Sequence, residues 1–188
     1  MKRQLDTTQK LYTLCMLVQD VPGVLSQVAR LFSRKGYNIE SLAVGTADLP
    51  NTSRITIEIM ADDDHARLLS NQLRKLFPVH SVKLLTPQKS IRRELVLYKV
   101  RTPDNDTRNA IIQIANIFRA NIIDVSVGTL TLAVVGGESK TEGIEKILEE
   151  FEVMELVRTG SVALERGQET IYDETKEKGE FNYGKNVL

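Results

Sequence analysis

The loop Asp20-Val21-Pro22-Gly23-Val24-Leu25 contains the residues best suited to binding a small charged ligand. An apolar run of strand length precedes it, and helical spacing of apolar residues begins at Val24, so the loop connects a strand to the first turn of a helix. Free backbone N–H groups and the positive end of the helix dipole at such a start bind a carboxylate. Gly23 lets an anion approach the backbone, and Asp20 offers a carboxylate to an ammonium group. The loop therefore suits a small zwitterion.

A purely structural role explains the same residues. Asp20 and Pro22-Gly23 also suit a helix cap followed by a tight turn. Val24, Leu25 and Ile39 fit either the core or the apolar wall of a ligand pocket. The residue pattern alone leaves both interpretations open.

Catalytic and metal-binding groups are sparse elsewhere. The two histidines, His65 and His80, have no recognisable nucleophile beside them. Asp62, Asp64 and His65 form a candidate metal cluster, although the acidic first turn of a helix explains them as well. Gly136-Gly137 follows a predicted strand and fits a turn, and no phosphate-binding glycine motif occurs. The sequence favours a binding protein over an enzyme.

Composition restricts the class of partner. The 188 residues include 25 Lys and Arg and 25 Asp and Glu, so the net charge of zero disfavours nucleic acid and anionic membranes. Aromatic residues make up 5% and tryptophan is absent, which disfavours a sheet that stacks RNA bases. Neither a membrane-spanning run nor a signal peptide is recognisable. Because Cys15 is the only cysteine, we expect a reducing cytoplasm.

Hydrophobic periodicity predicts an α+β fold. The first half has the order strand, helix, strand, strand, helix, strand, which is typical of a ferredoxin-like βαββαβ unit. The predicted strands are Leu11–Val18, Asn38–Thr46, Arg54–Met60 and Val79–Leu85. One helix runs from Val24 to Gly36, and the other follows Asp62-Asp63-Asp64 with Leu68, Leu69, Leu73 and Leu76 on its buried face.

The second half repeats this order. Asn38-Ile39 recurs as Asn121-Ile122, and Val44-Gly45-Thr46 recurs as Val127-Gly128-Thr129 at the same offset, which indicates two tandem ferredoxin-like domains. The predicted strands are Leu95–Val100, Ile122–Gly128, Leu130–Val135 and Val153–Val157, and the predicted helices are Asp104–Arg119 and Thr141–Phe151.

The domain limits follow from these elements. We expect an N-terminal tail over residues 1–9, a first domain over 10–86, a linker over 87–93 and a second domain over 94–165. Residues 166–188 are rich in Glu, Lys, Thr and Gly and show little periodicity. They are expected to be a charged tail that is mobile or depends on a partner.

Several motifs together resemble one family. Besides the loop, they are RKGYNIESLAVG at residues 34–45, SRITI at 53–57, QLRKLFPV at 72–79, RELVLYKV at 93–100 and ELVRTGSVALERG at 155–167. The loop is shared by many ACT-type amino-acid-binding domains. The other motifs resemble the small regulatory subunit of acetolactate synthase (acetohydroxyacid synthase) over nearly the whole chain.

The resemblance implies a non-catalytic subunit whose first domain is an ACT domain. That domain would form a homodimer and bind a branched-chain amino acid, usually valine, where two copies meet. Asp20, Gly23, Val24 and Leu25 would hold the polar ends of this effector, and Asn38 and Ile39 would complete the site. A separate large subunit would carry thiamine diphosphate, a divalent metal (Mg) and FAD, and would join two 2-keto acids in branched-chain amino acid biosynthesis. The small subunit would activate it and confer feedback inhibition.

One residue departs from the family pattern. The family usually has asparagine where this chain has Asp20, and an ionised aspartate accepts hydrogen bonds but cannot donate them. Asp20 suits the ammonium group of the effector but repels its carboxylate at close range.

The alternative function is a free-standing ACT-type amino-acid sensor without a catalytic partner. A third possibility is a small enzyme or RNA-binding protein with the same strand order.

Overall fold

The computed structural model describes residues 9–174 and contains two similar α+β units joined end to end. The first unit consists of β1 (Lys10–Gln19), α1 (Val24–Lys35), β2 (Ser41–Thr46), β3 (Thr52–Ala61), α2 (Asp63–Leu73) and β4 (Val79–Leu85). The second consists of β5 (Ser90–Arg101), α3 (Asn105–Ile117), β6 (Asn121–Ser126), β7 (Thr129–Gly136), α4 (Glu138–Leu148) and β8 (Val153–Arg158). A short strand β9 (Val162–Glu165) follows, and 3-10 turns cover Pro87–Lys89 and Ile171–Glu174.

Both units have the ferredoxin-like strand order. The first sheet runs β2-β3-β1-β4 and the second runs β6-β7-β5-β8, with every pairing antiparallel. Alternate residues of β1, such as Leu14 and Met16, join Phe32 of α1 and Leu69 of α2 in a core on one face of the first sheet. The second unit has an equivalent core around Tyr98. The predicted fold class is confirmed.

Local sequence sets the ends of the first two helices. Gly23 and Gly36 bound α1, and both adopt the left-handed conformation that glycine tolerates best. Asp62 precedes α2, and its carboxylate accepts a hydrogen bond from the backbone N–H of His65 at 2.8 Å. The predicted acidic cap is therefore present, and this hydrogen bond lowers the pKa of Asp62.

The C-terminal segment covers the face of the first sheet that the helices leave free. We call residues 162–173 the strap. Cys15 and Leu17 of β1 are buried there beneath Ala163 and Ile171, together with Leu85 of β4. Because β9 of the strap pairs with Ser90–Arg93, the strap ties the first sheet to the beginning of the second unit.

Polar contacts hold the strap on the first sheet. Lys83 of β4 forms an ion pair with Glu165 and donates a hydrogen bond to the Thr170 carbonyl at 3.0 Å. The guanidinium of Arg54 donates to the Ala163 carbonyl at 2.7 Å. The Tyr172 hydroxyl donates to the carboxylate of Asp48. Within the predicted tail, Ile171 and Tyr172 are therefore packed on the first unit, whereas residues 166–170 are exposed. Residues 175–188 lie outside the described residues, as do residues 1–8 of the N-terminal tail.

Other boundaries also differ from the sequence prediction. Residues 90–93 of the predicted linker are the start of β5, since they find a partner in β9, which the sequence did not reveal. Helix α4 begins at Glu138 rather than Thr141, directly after the Gly136-Gly137 turn. Strand β2 begins at Ser41 rather than Asn38. Leu68 is 50% exposed, because α2 turns only Ala66, Leu69, Ser70 and Leu73 toward the sheet.

No helix within residues 9–174 has the length and apolar character needed to cross a membrane.

Candidate functional site

The loop between β1 and α1 is fixed by backbone hydrogen bonds to two neighbouring loops. The N–H of Gln19 donates to the Pro78 carbonyl at 2.8 Å, and the N–H of Asp20 donates to the Asn51 carbonyl at 2.9 Å. The Asp20 carboxylate also accepts a hydrogen bond from the Ser53 hydroxyl at 3.1 Å. Asp20 is thus anchored to the start of β3, and one of its two carboxylate oxygens takes part in this bond.

Gly23 occupies the N-cap position of α1 with φ 88°. Its conformation explains the glycine, because an L-residue there would be strained. A Cβ built on Gly23 would meet no atom of residues 9–174 within 4 Å, so this part of the chain leaves the space beside the helix start open. A ligand could reach the backbone at this point.

The beginning of α1 lacks a polar side chain of its own. None of the described side chains caps it, and its first turn contains no acidic residue. In contrast, Asp62 caps α2 and Asp104 caps α3, while Glu138 lies in the first turn of α4. Among the helices of residues 9–174, α1 alone combines an uncapped start with an uncharged first turn. Its N–H groups keep their capacity for an external anion.

Val24 and Leu25 have different environments. The side chain of Val24 is buried in the core of the first unit, so only its backbone can face a ligand. Leu25 is 41% exposed and offers an apolar surface at the helix start. The sequence left both residues as either core or pocket wall, and the structure separates them.

Asn38 and Ile39 lie at the opposite end of α1. The 12 residues of this helix, at about 1.5 Å each, separate the two ends by about 18 Å. The amide of Asn38 donates to Glu40 at 3.0 Å, and Ile39 is half-buried against the core. A single chain therefore does not bring these two residues to the loop at Asp20.

Strand β2 lies at an edge of the first sheet and pairs only with β3 among the described strands, while Gly160 and Ser161 lie beside its first residues, where the Ser161 N–H donates to the Ser41 hydroxyl at 2.8 Å. Leu42 and Val44 of this strand are exposed apolar residues. An edge strand of this kind favours pairing with another strand. The edge also joins the two halves of the predicted site, since β2 begins just after Ile39 and Thr46 near its end pairs with Ser53, which contacts Asp20.

A cleft of about 310 Å³ between the two units is another concave surface. Arg92 lies 3.3 Å from Glu58 across it, and Arg158 pairs with Glu94 and Glu145 within the second unit. The guanidinium groups of Arg92 and Arg158 are therefore compensated by carboxylates of the chain. The cleft differs in this respect from the start of α1, where the backbone donors have no side-chain acceptor.

The candidate metal cluster has another arrangement. Asp62 uses its carboxylate for the cap of α2 and for a 2.7 Å contact with the His65 ring. Within residues 9–174, no three His, Cys, Asp or Glu side chains are grouped so that they could hold a metal ion.

Two residues of the site were not predicted from the sequence. Asn51 and Ser53 fix Asp20, although they lie in a turn and at the start of a strand about 30 positions further along the chain. The SRITI motif, which begins at Ser53, was the available signal. Its role in holding the loop depends on the pairing of β1 with β3.

Comparison with known proteins covers both units. A family model described as the small subunit of acetolactate synthase matches residues 93–167, and one described as an AHAS small subunit-like ACT domain matches residues 14–81. The acetolactate synthase small subunit of Mycobacterium bovis is 44% identical over 158 residues, which cover 84% of this chain and 94% of that protein. The corresponding protein of Mycobacterium leprae is 45% identical over 156 residues, or 83% of this chain and 92% of that protein.

A solved structure agrees with these relatives. The crystal structure of the acetolactate synthase small subunit from Thermotoga maritima has a TM-score of 0.79 and 36% sequence identity, and the match covers 85% of this chain and 99% of that one. The chain therefore belongs to the acetolactate synthase small subunits, the non-catalytic, regulatory subunits of that enzyme.

Proposed function

We propose that the chain binds a free branched-chain amino acid, valine, at the start of α1 and thereby confers feedback inhibition on the catalytic large subunit. The observation that carries this proposal is the start of α1, which has backbone donors, a glycine with open space beside it and no capping side chain. These features suit the carboxylate of an amino acid. Asp20 accepts hydrogen bonds and suits the ammonium group.

A homodimer would complete the site. Pairing two copies of β2 antiparallel across a two-fold axis places the start of one strand against the end of the other. Asn38 and Ile39 of the second copy would then approach Asp20 and Gly23 of the first. The separation of about 18 Å along α1 within one chain is a reason to propose a site shared between copies.

The apolar part of the effector would contact aliphatic side chains. Leu25 at the helix start and Leu42 and Val44 on the edge strand are exposed in the single chain and would line such an interface. Pocket size would discriminate among valine, leucine and isoleucine by about 1 to 3 kcal/mol per methylene, so partial overlap among them is expected.

Catalysis would reside in the large subunit, in the cytoplasm. The family resemblance assigns thiamine diphosphate, Mg and FAD to that subunit, where they supply the condensation of two 2-keto acids. This chain would contribute the effector site and raise the activity of the complex. A coupling free energy of about 1 to 3 kcal/mol between effector and catalytic sites would change affinity by about 5 to 150-fold.

The substitution Gly23→Asp tests the proposal. It places a carboxylate where the effector carboxylate would lie, so we expect valine affinity to fall at least about tenfold, or about 1.4 kcal/mol. Calorimetry of the chain alone measures binding, and product formation by the mixed subunits measures activation and inhibition. Activation should persist while feedback is lost.

Gly36→Ala is the matched control for backbone strain. Gly36 has φ 73° and open space for a Cβ, as Gly23 does, but it lies at the other end of α1. The substitutions Gly23→Ala and Gly36→Ala should therefore lower the free energy of unfolding by similar amounts. Gly36→Ala should bind valine as the unmodified chain does. Unchanged valine inhibition in Gly23→Asp would exclude this loop from the site.

A further inference from the structure

A second surface, distinct from the helix start, lies on the two-stranded ribbon between the units. Residues Ser90–Arg93 of β5 pair with Val162–Glu165 of β9, with Ile91 opposite Leu164 and Arg93 opposite Val162. Because side chains alternate along a strand, these four residues share one face, and Ala163 and Glu165 point the other way onto the first sheet. The ribbon has an inner face that is buried and an outer face that is not.

The outer face forms a groove of about 280 Å³. We call it the ribbon groove. Ile91, Arg93, Val162 and Leu164 of the outer face line it, Arg54 and the largely buried Ala163 complete the lining, and Arg93 also borders the cleft between the units. Leu164 is 52% exposed and Val162 is 56% exposed, although both lie in a strand. Exposed aliphatic residues grouped in one groove are typical of a contact surface.

Two arginines give the ribbon groove a positive charge. Within residues 9–174, Arg54 and Arg93 contact no carboxylate, and each donates to a main-chain carbonyl at 2.7 Å, that of Ala163 and that of Arg92 respectively. A guanidinium has five N–H donors, so both retain capacity for a further acceptor. The groove therefore complements a segment with aliphatic side chains and flanking carboxylates.

A second copy of this chain is a poor occupant. A two-fold axis through the groove would bring two positively charged surfaces together, and the described lining residues of the groove include no carboxylate to offset that repulsion. A different protein with acidic side chains avoids this repulsion. The regulatory subunit of an enzyme must contact its catalytic subunit, which supplies such a protein.

We infer that the ribbon groove receives an acidic, aliphatic segment of the catalytic large subunit. This inference rests on the proposed function in that it requires the large subunit as partner, but it does not require valine binding. The position explains how docking would affect the whole chain. Arg54 belongs to β3 of the first unit, Ile91 and Arg93 begin the strand that enters the second, and β9 starts the strap, so a bound segment would contact all three parts.

Leu164→Asp and Arg93→Glu test the inference in the full chain. Leu164→Asp places a negative charge in the apolar contact, and Arg93→Glu reverses the charge that would attract the acidic side chains of the partner. We expect the concentration of the chain needed for half-maximal activation of the large subunit to rise at least about tenfold in each variant. The salt dependence of that concentration should weaken in Arg93→Glu, since one cross-interface attraction is removed.

Leu68→Asp is the matched control. Leu68 is the same residue type with 50% exposure, and it lies on α2, on the helix side of the first sheet. Half-maximal activation should be unchanged in this variant, and thermal unfolding should confirm that all three variants are folded. Unchanged activation in both groove variants, an equal loss in Leu68→Asp, or a change in self-association without a change in activation would each overturn the inference.

Valine binding distinguishes this inference from the proposed function. Calorimetry of Leu164→Asp without the large subunit should give the valine affinity of the unmodified chain. If the unmodified chain binds no valine, the effector proposal fails. The activation titration still tests whether the large subunit docks in the ribbon groove.

Discussion

The substitution Ile171→Ala should loosen the strap and expose Cys15 without unfolding the first unit. Cys15 is fully buried on the strap side of the first sheet, where its thiol lies 3.5 Å from the Ala163 carbonyl. Burial raises the pKa of the Cys15 thiol, so the reactive thiolate forms mainly when the strap is open. The rate of thiol labelling therefore reports how often the strap opens.

The expected magnitude follows from packing. Ile171 is 4% exposed and contacts the small cluster of Cys15, Leu17, Leu85 and Ala163. Truncating a buried isoleucine to alanine costs about 2 to 5 kcal/mol, and the lower part of this range applies because the cluster is small. A loss of about 2 to 3 kcal/mol in strap closure raises the open fraction, and hence the labelling rate, about 30- to 160-fold.

Leu73→Ala provides the control. Leu73 is fully buried on the opposite, helix-facing side of the same sheet. Its truncation costs a similar free energy but leaves the strap contacts in place. Labelling with a disulfide reagent in native buffer, followed by absorbance, should accelerate in Ile171→Ala and not in Leu73→Ala. Equal acceleration in both variants would show that Cys15 is exposed by unfolding of the whole unit, which would refute a separately opening strap.

Local patterns in the sequence were sufficient for most of the fold. The apolar spacing from Val24, the bounding Gly23 and Gly36, and the acidic cap at Asp62 each act within one helix, so both ends of α1 and the start of α2 followed from neighbouring residues. The end of α2 did not, because Leu76, predicted on its buried face, lies beyond the last helical residue, Leu73. The repeat of the strand and helix order also followed, since each unit contains its own periodic signals.

The strap could not be predicted, because its order depends on distant contacts. Strand β9 has only four residues, and its partners at Ser90–Arg93 lie about 70 positions earlier in the chain. Neither segment has a signal strong enough to indicate a strand by itself. Ile171 is a single apolar residue in a polar stretch, and only the free face of the first sheet explains its burial.

The predicted site was limited in a similar way. Sequence spacing identified the start of α1 and its glycine, which are local features. The predicted helix from Val24 to Gly36 already implies that Asn38 and Ile39 lie beyond its other end, so only the family resemblance placed these two residues in the site. The contact of Asp20 with Ser53 depends on the pairing of β1 with β3.

Two further predictions concern the attachment of the strap. Gly160 has φ 80°, and a Cβ there would lie 2.6 Å from the Leu42 carbonyl oxygen, whereas Gly167 has φ 85° and open space. The left-handed conformation should lower the free energy of unfolding of both Gly→Ala variants by about 1 kcal/mol. In urea unfolding, Gly160→Ala should lose about 1 to 3 kcal/mol more because of the clash. Equal losses in the two variants would contradict this prediction. Acid should also release the strap. The hydrogen bond from Lys83 lowers the pKa of Glu165, and that from the Thr170 N–H lowers the pKa of Asp173. Both carboxylates therefore stabilise the strap above their ordinary pKa values of about 4, and this stabilisation is lost as the pH falls through the lower folded-state values. Cys15 labelling by a reagent active in acid should accelerate below about pH 4, and less so in Glu165→Gln, whose strap is already weakened at neutral pH; an identical pH profile in that variant would exclude Glu165 as a cause.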